Sequence, residues 1–95
     1  MELNELPGSE LILPGLEDLY HGRNNTIGSL LISIASIRLT AAGLDIPQEC
    51  LVSEPELALY EYLQNDRDDA YSYYNALLNS LNSFCAALEL KSKYL

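Results

Sequence analysis

The chain has 95 residues, 48% of them hydrophobic, and a formal net charge of −9 at pH 7. This length predicts a single domain, residues 1–95, and the hydrophobic fraction is too high for a disordered acidic tail. The excess of acidic residues disfavours binding to nucleic acids and to anionic membranes, both of which need clustered Lys and Arg.

The first half of the sequence predicts an extended N-terminal lead-in and two helices. Residues 1–10 include a turn-forming proline and glycine, and the apolar run 11–13 is too short to be assigned to a helix or a strand. A short helix is predicted over 14–22, because proline is tolerated in a first turn and a glycine ends the segment. A second helix is predicted over 26–42, where Asn24, Asn25 and Thr26 are the candidate N-caps and apolar residues occur on nearly every face.

The second half predicts two further helices, separated from the first two by an irregular connection over 44–52. Ser53 and Glu56 have the spacing of a capping box, and this predicts a helix over 54–64. A fourth helix is predicted over 67–91, because apolar residues recur every three or four positions for about five turns. The predicted fold is therefore all-α, a small bundle of three to four helices.

The titratable residues offer only weak candidates for a catalytic or metal site. His21 is the single histidine, and because no zinc motif surrounds it, it is interpreted as a surface or helix-end residue. Asp66 and Asp69 lie in the densest acidic cluster, and with Glu61 they give the alternative hypothesis of a carboxylate-based, metal-dependent hydrolase. The competing interpretation is that these aspartates cap the fourth helix. No phosphate-binding glycine loop is present, so the sequence predicts no enzyme and no cofactor.

The cysteines and the N-terminal residues bear on the cellular compartment. Cys50 and Cys85 lack the spacing of a redox or metal motif, and Cys85 lies in the apolar pattern of the fourth helix, which predicts a buried free thiol. The first ten residues are acidic, whereas a secretory leader begins with basic residues. No apolar stretch is long enough to cross a bilayer. These features predict a cytoplasmic protein.

The strongest indication of function is a helix face without charge. No charged residue occurs between Ala70 and Leu88, and the positions opposite the apolar pattern are mainly asparagine and serine. Both are poor helix formers, whereas an ordinary solvated face carries Lys and Glu. Depletion of charge is typical of the core of a protein interface. This pattern predicts a partner-binding face, and internal packing of the same face is the competing interpretation.

The tyrosines favour the same interpretation. The chain has seven tyrosines, one phenylalanine and no tryptophan, and tyrosine is enriched at interfaces because it combines apolar area with a polar tip. The tyrosines near the start of the fourth helix cannot all enter one small core, and a half-buried position along the bundle surface is the alternative. The predicted partner-binding residues are Tyr71, Tyr73, Asn75, Asn79, Asn82 and Ser83.

A row of small polar residues on the second helix has a different interpretation. Small side chains let a neighbouring helix approach closely, so this row is predicted to pack within the chain, with a partner as the alternative. The row consists of Ser29, Ser33, Ser36 and Thr40.

Three functions follow from these patterns. The leading hypothesis is a small protein–protein interaction module, a homodimer or an assembly subunit, because two-fold pairing is the commonest oligomer. The alternatives are the metal-dependent hydrolase and an acidic decoy that occupies the nucleic-acid site of a basic partner. The sequence predicts no nucleic-acid, membrane or small-molecule ligand.

Overall fold

The computed structural model describes residues 3–93, and this part of the chain confirms the predicted all-α class. Short 3-10 turns at Leu3–Glu5 and Gln48–Cys50 lie in the lead-in and in the longest connection between helices. The α-helices within the described range are α1 (Ser9–Tyr20), α2 (Ile27–Ile34), α3 (Ser36–Ala41), α4 (Pro55–Asp66) and α5 (Ala70–Lys93).

All of these helices contribute to one continuous hydrophobic core. The middle of α2, residues 29–33, is buried at every position, which confirms the expectation that this helix lies inside the bundle. Helix α2 packs against α1 on one side and α4 on the other. The predicted apolar pattern of α5 faces this core: Ala70, Leu77, Leu81, Phe84, Cys85 and Leu88 are buried, and Tyr74 and Leu78 are half-buried.

The first helix begins at Ser9 and not at residue 14, so residues 11–13 are helical and the lead-in is shorter than predicted. The buried positions of α1 include Ser9 and Gly15, which are not apolar side chains. The apolar pattern of the sequence therefore predicted a helix that begins too late. Pro14 lies on the exposed side of α1, where its missing amide removes one backbone hydrogen bond. Burial of Ile12 and Leu19 on the opposite side offsets this loss.

Helices α1 and α2 cross at a pair of glycines. A Cβ atom added at Gly28 would lie 2.6 Å from the carbonyl oxygen of Leu11 and 2.8 Å from the Cα atom of Gly15. Two backbones can approach this closely only where neither residue has a side chain. Next to this crossing, Ser29 and Ser33 are buried within the chain, as predicted, whereas Ser36 is half-buried and Thr40 is exposed.

The predicted helix over 26–42 is divided at Ala35, where the backbone angles (φ −104°, ψ 19°) leave the helical range. Ser33 and Ser36 flank this residue, and helices commonly bend near serine. The Oγ atom of Ser33 is buried and has no hydrogen-bond partner among the described residues. The bend separates α2, which is central, from α3, which borders α5.

Of the three candidate N-caps, Thr26 is the one that caps α2, and the cap is reciprocal. Its hydroxyl accepts a hydrogen bond from the Ser29 amide (3.2 Å), and the Ser29 hydroxyl accepts one from the Thr26 amide (3.0 Å). The Thr26 hydroxyl also donates to the Asp18 carboxylate at 2.8 Å. The pKa of the Asp18 carboxyl is lowered by hydrogen bonds from Arg23, which has the larger effect, and from Thr26. The cap thus ties the end of α1 to the start of α2.

Replacing Thr26 by alanine removes the hydroxyl that accepts from the Ser29 amide and donates to the Asp18 carboxylate. We expect the free energy of unfolding to fall by about 1–2 kcal/mol, the usual effect of losing a side-chain N-cap. Thr26→Ser keeps the hydroxyl and serves as the matched control, which should lose much less. Urea unfolding followed by circular dichroism measures both variants, and equal losses would mean that the hydroxyl is not the source of the stability.

The capping box predicted at Ser53 and Glu56 is wrong. Helix α4 begins at Pro55, and the N-cap is Glu54, whose side chain makes no capping hydrogen bond. A cap at Ser53 would make Glu54 the first residue of the helix. Glu54 precedes a proline, and a residue in that position is disfavoured in the right-handed helical region. Glu54 instead has left-handed backbone angles (φ 53°, ψ 53°), and Pro55 takes the first helical position that suits it.

Candidate functional site

The uncharged side of α5 is exposed over most of the helix. We call this surface the α5 face: Tyr71, Ser72, Asn75, Ala76, Asn79, Asn82, Ser83 and Ala86, all exposed. It includes five of the six predicted partner-binding residues, and the sixth, Tyr73, is half-buried. The neighbouring Ser80 and Ala87 are half-buried within the chain. The residues of the α5 face remain exposed, although Asn75 donates to the backbone oxygen of Tyr71 at 3.1 Å.

Tyr73 is covered by a neighbouring cation. The guanidinium carbon of Arg67 lies 3.9 Å from the centre of the Tyr73 ring, which is a cation–π contact. Arg67 also donates to the Asp69 carboxylate at 2.6 Å, and this hydrogen bond lowers the pKa of Asp69. Tyr73 is therefore less available to a partner than the other five predicted residues.

An ion pair between α3 and α5 borders the C-terminal end of the α5 face. Arg38 donates to the two carboxylate oxygens of Glu89 at 2.8 and 3.1 Å, and its remaining terminal nitrogen lies 3.4 Å from Oδ1 of Asn82. The hydrogen bond from Arg38 lowers the pKa of Glu89. Two large apolar side chains lie close by in the chain: Ile37 is 86% exposed and Leu90 is 57% exposed.

A groove between α4 and α5 borders the N-terminal end of the α5 face. Its volume is about 450 Å³, and its walls are formed by Glu56, Leu57, Tyr60, Tyr71, Tyr74 and Asn75. Leu57 and Tyr71 are 52% and 66% exposed. The rings of Tyr60 and Tyr74 meet edge to face, with centroids 5.5 Å apart. Burial, followed by the negative charge of Glu56, raises the pKa of Tyr74.

The sequence analysis identified only two of these groove residues, Tyr71 and Asn75. The usable signal was the three-residue spacing of Leu57 and Tyr60 on one helix and of Tyr71 and Tyr74 on the other, which places each pair on one side of its helix. How the two helices align is a tertiary property, so the spacing alone does not bring the two pairs together.

The carboxylates of the hydrolase hypothesis do not form a cluster. Asp69 pairs with Arg67, and Glu61 and Asp66 are exposed on α4. Within the described part of the chain, no three His, Cys, Asp or Glu side chains are placed to hold a metal ion. Asp69 does stand at the N-cap position of α5, where its backbone oxygen accepts a hydrogen bond from the Tyr73 amide (3.0 Å).

His21 and Cys50 line one cleft of about 620 Å³, between the end of α1 and the segment 45–50, although nothing in the sequence brings them together. His21 is exposed at the C-cap of α1, and its Nδ1 atom lies 2.8 Å from the carbonyl oxygen of Glu17, which agrees with the helix-end interpretation. Both cysteines are free, and Cys85 is buried as predicted. Burial raises the pKa of the Cys85 thiol, which keeps it protonated and unreactive.

Comparison with known proteins adds no family to this description. The chain matches no protein-family model, no curated protein and no solved structure at a significant level. Among the described residues, none of the helices is both long and apolar enough to pass through a bilayer. The candidate functional surfaces are the α5 face and the groove beside it.

Proposed function

We propose that this chain is a small protein–protein interaction module that forms a homodimer through the α5 face. One observation carries the proposal: the face is exposed and uncharged on a chain whose net charge is −9. An interface core is depleted of charged residues relative to the rest of a protein surface, and the α5 face has this composition.

Helix propensity supports the same conclusion. Five positions of the α5 face are asparagine or serine, each of which is about 0.5 kcal/mol less favourable in a helix than alanine. Lys, Glu or Ala at these exposed positions would stabilise α5 and keep it soluble. Contact with a second protein surface accounts for side chains that the isolated helix does not favour.

Electrostatics favours this surface for contact between identical copies. Two chains of charge −9 repel each other, and the repulsion is smallest where neither copy places charged side chains in the contact. In a two-fold dimer each residue near the axis meets its own copy. Asn79 lies near the middle of the α5 face, and an asparagine amide can both donate to and accept from an identical amide.

A stable dimer must bury more surface area than one helix face offers, so the contact has to extend beyond α5. A standard interface buries about 800 Å² on each partner. Ile37 and Leu90, which are exposed apolar residues near the Arg38–Glu89 pair, would enlarge the contact at the C-terminal end of the face. Tyr71 would do so at the N-terminal end.

The test is the solution mass of the wild-type chain and of the double variant Asn79→Glu, Ser83→Lys. Both substitutions are at exposed positions, and a glutamate four residues before a lysine stabilises an exposed helix. We expect the wild type to have twice the 10.6 kDa mass of one chain, and the variant to have the mass of one chain with its helical spectrum kept. Size-exclusion chromatography with light scattering measures the mass.

Asn65→Lys is the matched control, because it places a lysine four residues after Glu61 on the exposed surface of α4. This variant should remain a dimer. A wild-type chain that stays monomeric at high concentration would overturn the proposal, as would a double variant that dimerises as tightly as the wild type.

A further inference from the structure

We infer that the groove between α4 and α5 binds a basic segment of a second protein, with one Lys or Arg side chain lying among its tyrosines beside Glu56. This site adjoins the proposed dimer contact: Tyr71 and Asn75 belong to both surfaces, whereas Glu56, Leu57, Tyr60 and Tyr74 line the groove alone. Three features support this binding: the lining of the groove, the charge around it and a similar contact elsewhere in the chain.

The lining combines aromatic rings with one carboxylate. Three of the six residues that form the groove are tyrosines, and Glu56 is the one charged residue among them. A cation near the face of an aromatic ring is attracted by the ring's quadrupole, and sites built from several such rings recognise ammonium and guanidinium groups. Glu56 adds a full negative charge, and Leu57 adds an apolar wall for the methylene stem of the bound side chain.

The charge around the groove has the same sign. Helix α4 contains Glu56, Glu61 and Asp66 and no basic residue, and the part of α5 from Ala70 to Leu88 is uncharged. The nearest cation in sequence, Arg67, is already paired with Asp69 and stacked on Tyr73. No cation of the chain lines the groove within the described residues, so a basic partner would meet attraction and little competition.

The contact between Arg67 and Tyr73 shows this chemistry within the chain itself. There, a guanidinium lies 3.9 Å from a tyrosine ring centre while a carboxylate accepts its hydrogen bond at 2.6 Å. The groove offers the same pair of groups, tyrosine rings and a carboxylate, at an open position. A Lys or Arg side chain from outside would complete the arrangement.

The test is to titrate the full chain with a blocked pentapeptide that has a central arginine flanked by leucines. Binding is monitored by the amide chemical shifts of the chain in NMR spectra. We expect saturable shifts that are largest at Glu56, Leu57 and Tyr60, which line the groove outside the proposed dimer contact. The same peptide with glutamine in place of arginine should bind several-fold more weakly. Glu56→Gln should weaken binding of the arginine peptide by about three- to tenfold, because it removes a charge-assisted contact.

Glu61→Gln is the matched control, since it makes the same change of charge on the same helix outside the groove. It should alter binding of the arginine peptide by less than about twofold. Equal weakening by both variants would overturn the inference, because it would show a general attraction to the acidic chain. Equal binding of the arginine and glutamine peptides, or no shift at millimolar arginine peptide, would overturn it as well.

Discussion

Replacing Gly28 by alanine is expected to lower the free energy of unfolding by about 3 kcal/mol. The new Cβ atom would stand 2.6 Å from the carbonyl oxygen of Leu11 and 2.8 Å from the Cα atom of Gly15. Both are backbone atoms of α1, so neither can move aside as the end of a side chain can. Relief would require α1 and α2 to separate, which opens the core between them.

The expected sign is opposite to the one that helix propensity gives. In an exposed helix, a change from glycine to alanine stabilises by about 1 kcal/mol. Gly22→Ala is the control, because an added Cβ meets nothing within 4 Å there, while the positive φ of 79° makes alanine unfavourable by about 1 kcal/mol. Urea unfolding of both variants measures the difference, and a loss at Gly28 no larger than at Gly22 would show that the helices do not cross at this point.

Replacing Phe84 by alanine is expected to lower the free energy of unfolding by about 3–5 kcal/mol, as for other buried aromatic residues. Phe84 is the largest fully buried side chain among the described residues. Phe84 lies on the core side of α5, opposite the α5 face. It is also next to the lead-in, since a Cβ atom added at Gly8 would lie 3.5 Å from the Cβ atom of Phe84. The substitution should therefore also weaken the proposed dimer, by loosening the helix that presents the face.

Gln64→Ala, at an exposed position of α4, is the control and should change the stability by less than about 0.5 kcal/mol. Thermal and urea unfolding at a series of chain concentrations separate the two effects, because dimerisation makes the midpoint depend on concentration. A Phe84→Ala variant as stable as Gln64→Ala would contradict the placement of Phe84 in the core.

Features that depend on residues close together in the chain could be predicted from the sequence, unless two local preferences conflict. The apolar recurrence of α5 correctly separated a buried side from an exposed side, because the helical repeat alone determines which residues share a side. The sequence narrowed the cap of α2 to Asn24, Asn25 and Thr26 for the same reason, since a capping bond spans only three residues, and the structure selects Thr26. The predicted cap at Ser53 failed where two local rules conflict: the capping box requires Glu54 to be helical, and the following proline disfavours it.

The candidate site was predicted in part. Exposure of the α5 face follows from the spacing of its residues, but the covering of Tyr73 by Arg67 does not follow from any spacing. The groove required Leu57 and Tyr60 of α4 to meet Tyr71 and Tyr74 of α5. Two helices joined by a short connection can align at several offsets and rotations, and side-chain packing selects among them.

Four properties follow from the amino-acid sequence alone: the all-α class, the two sides of α5, the buried thiol of Cys85 and the absence of charge from the exposed side. These properties depend on residue type and on a repeat of three to four residues. The crossing of α1 and α2 at Gly15 and Gly28, the bend at Ala35 and the groove between α4 and α5 depend on how the helices pack in three dimensions. Each of these depends on how closely and at what angle two surfaces pack, which a sequence read one segment at a time does not specify.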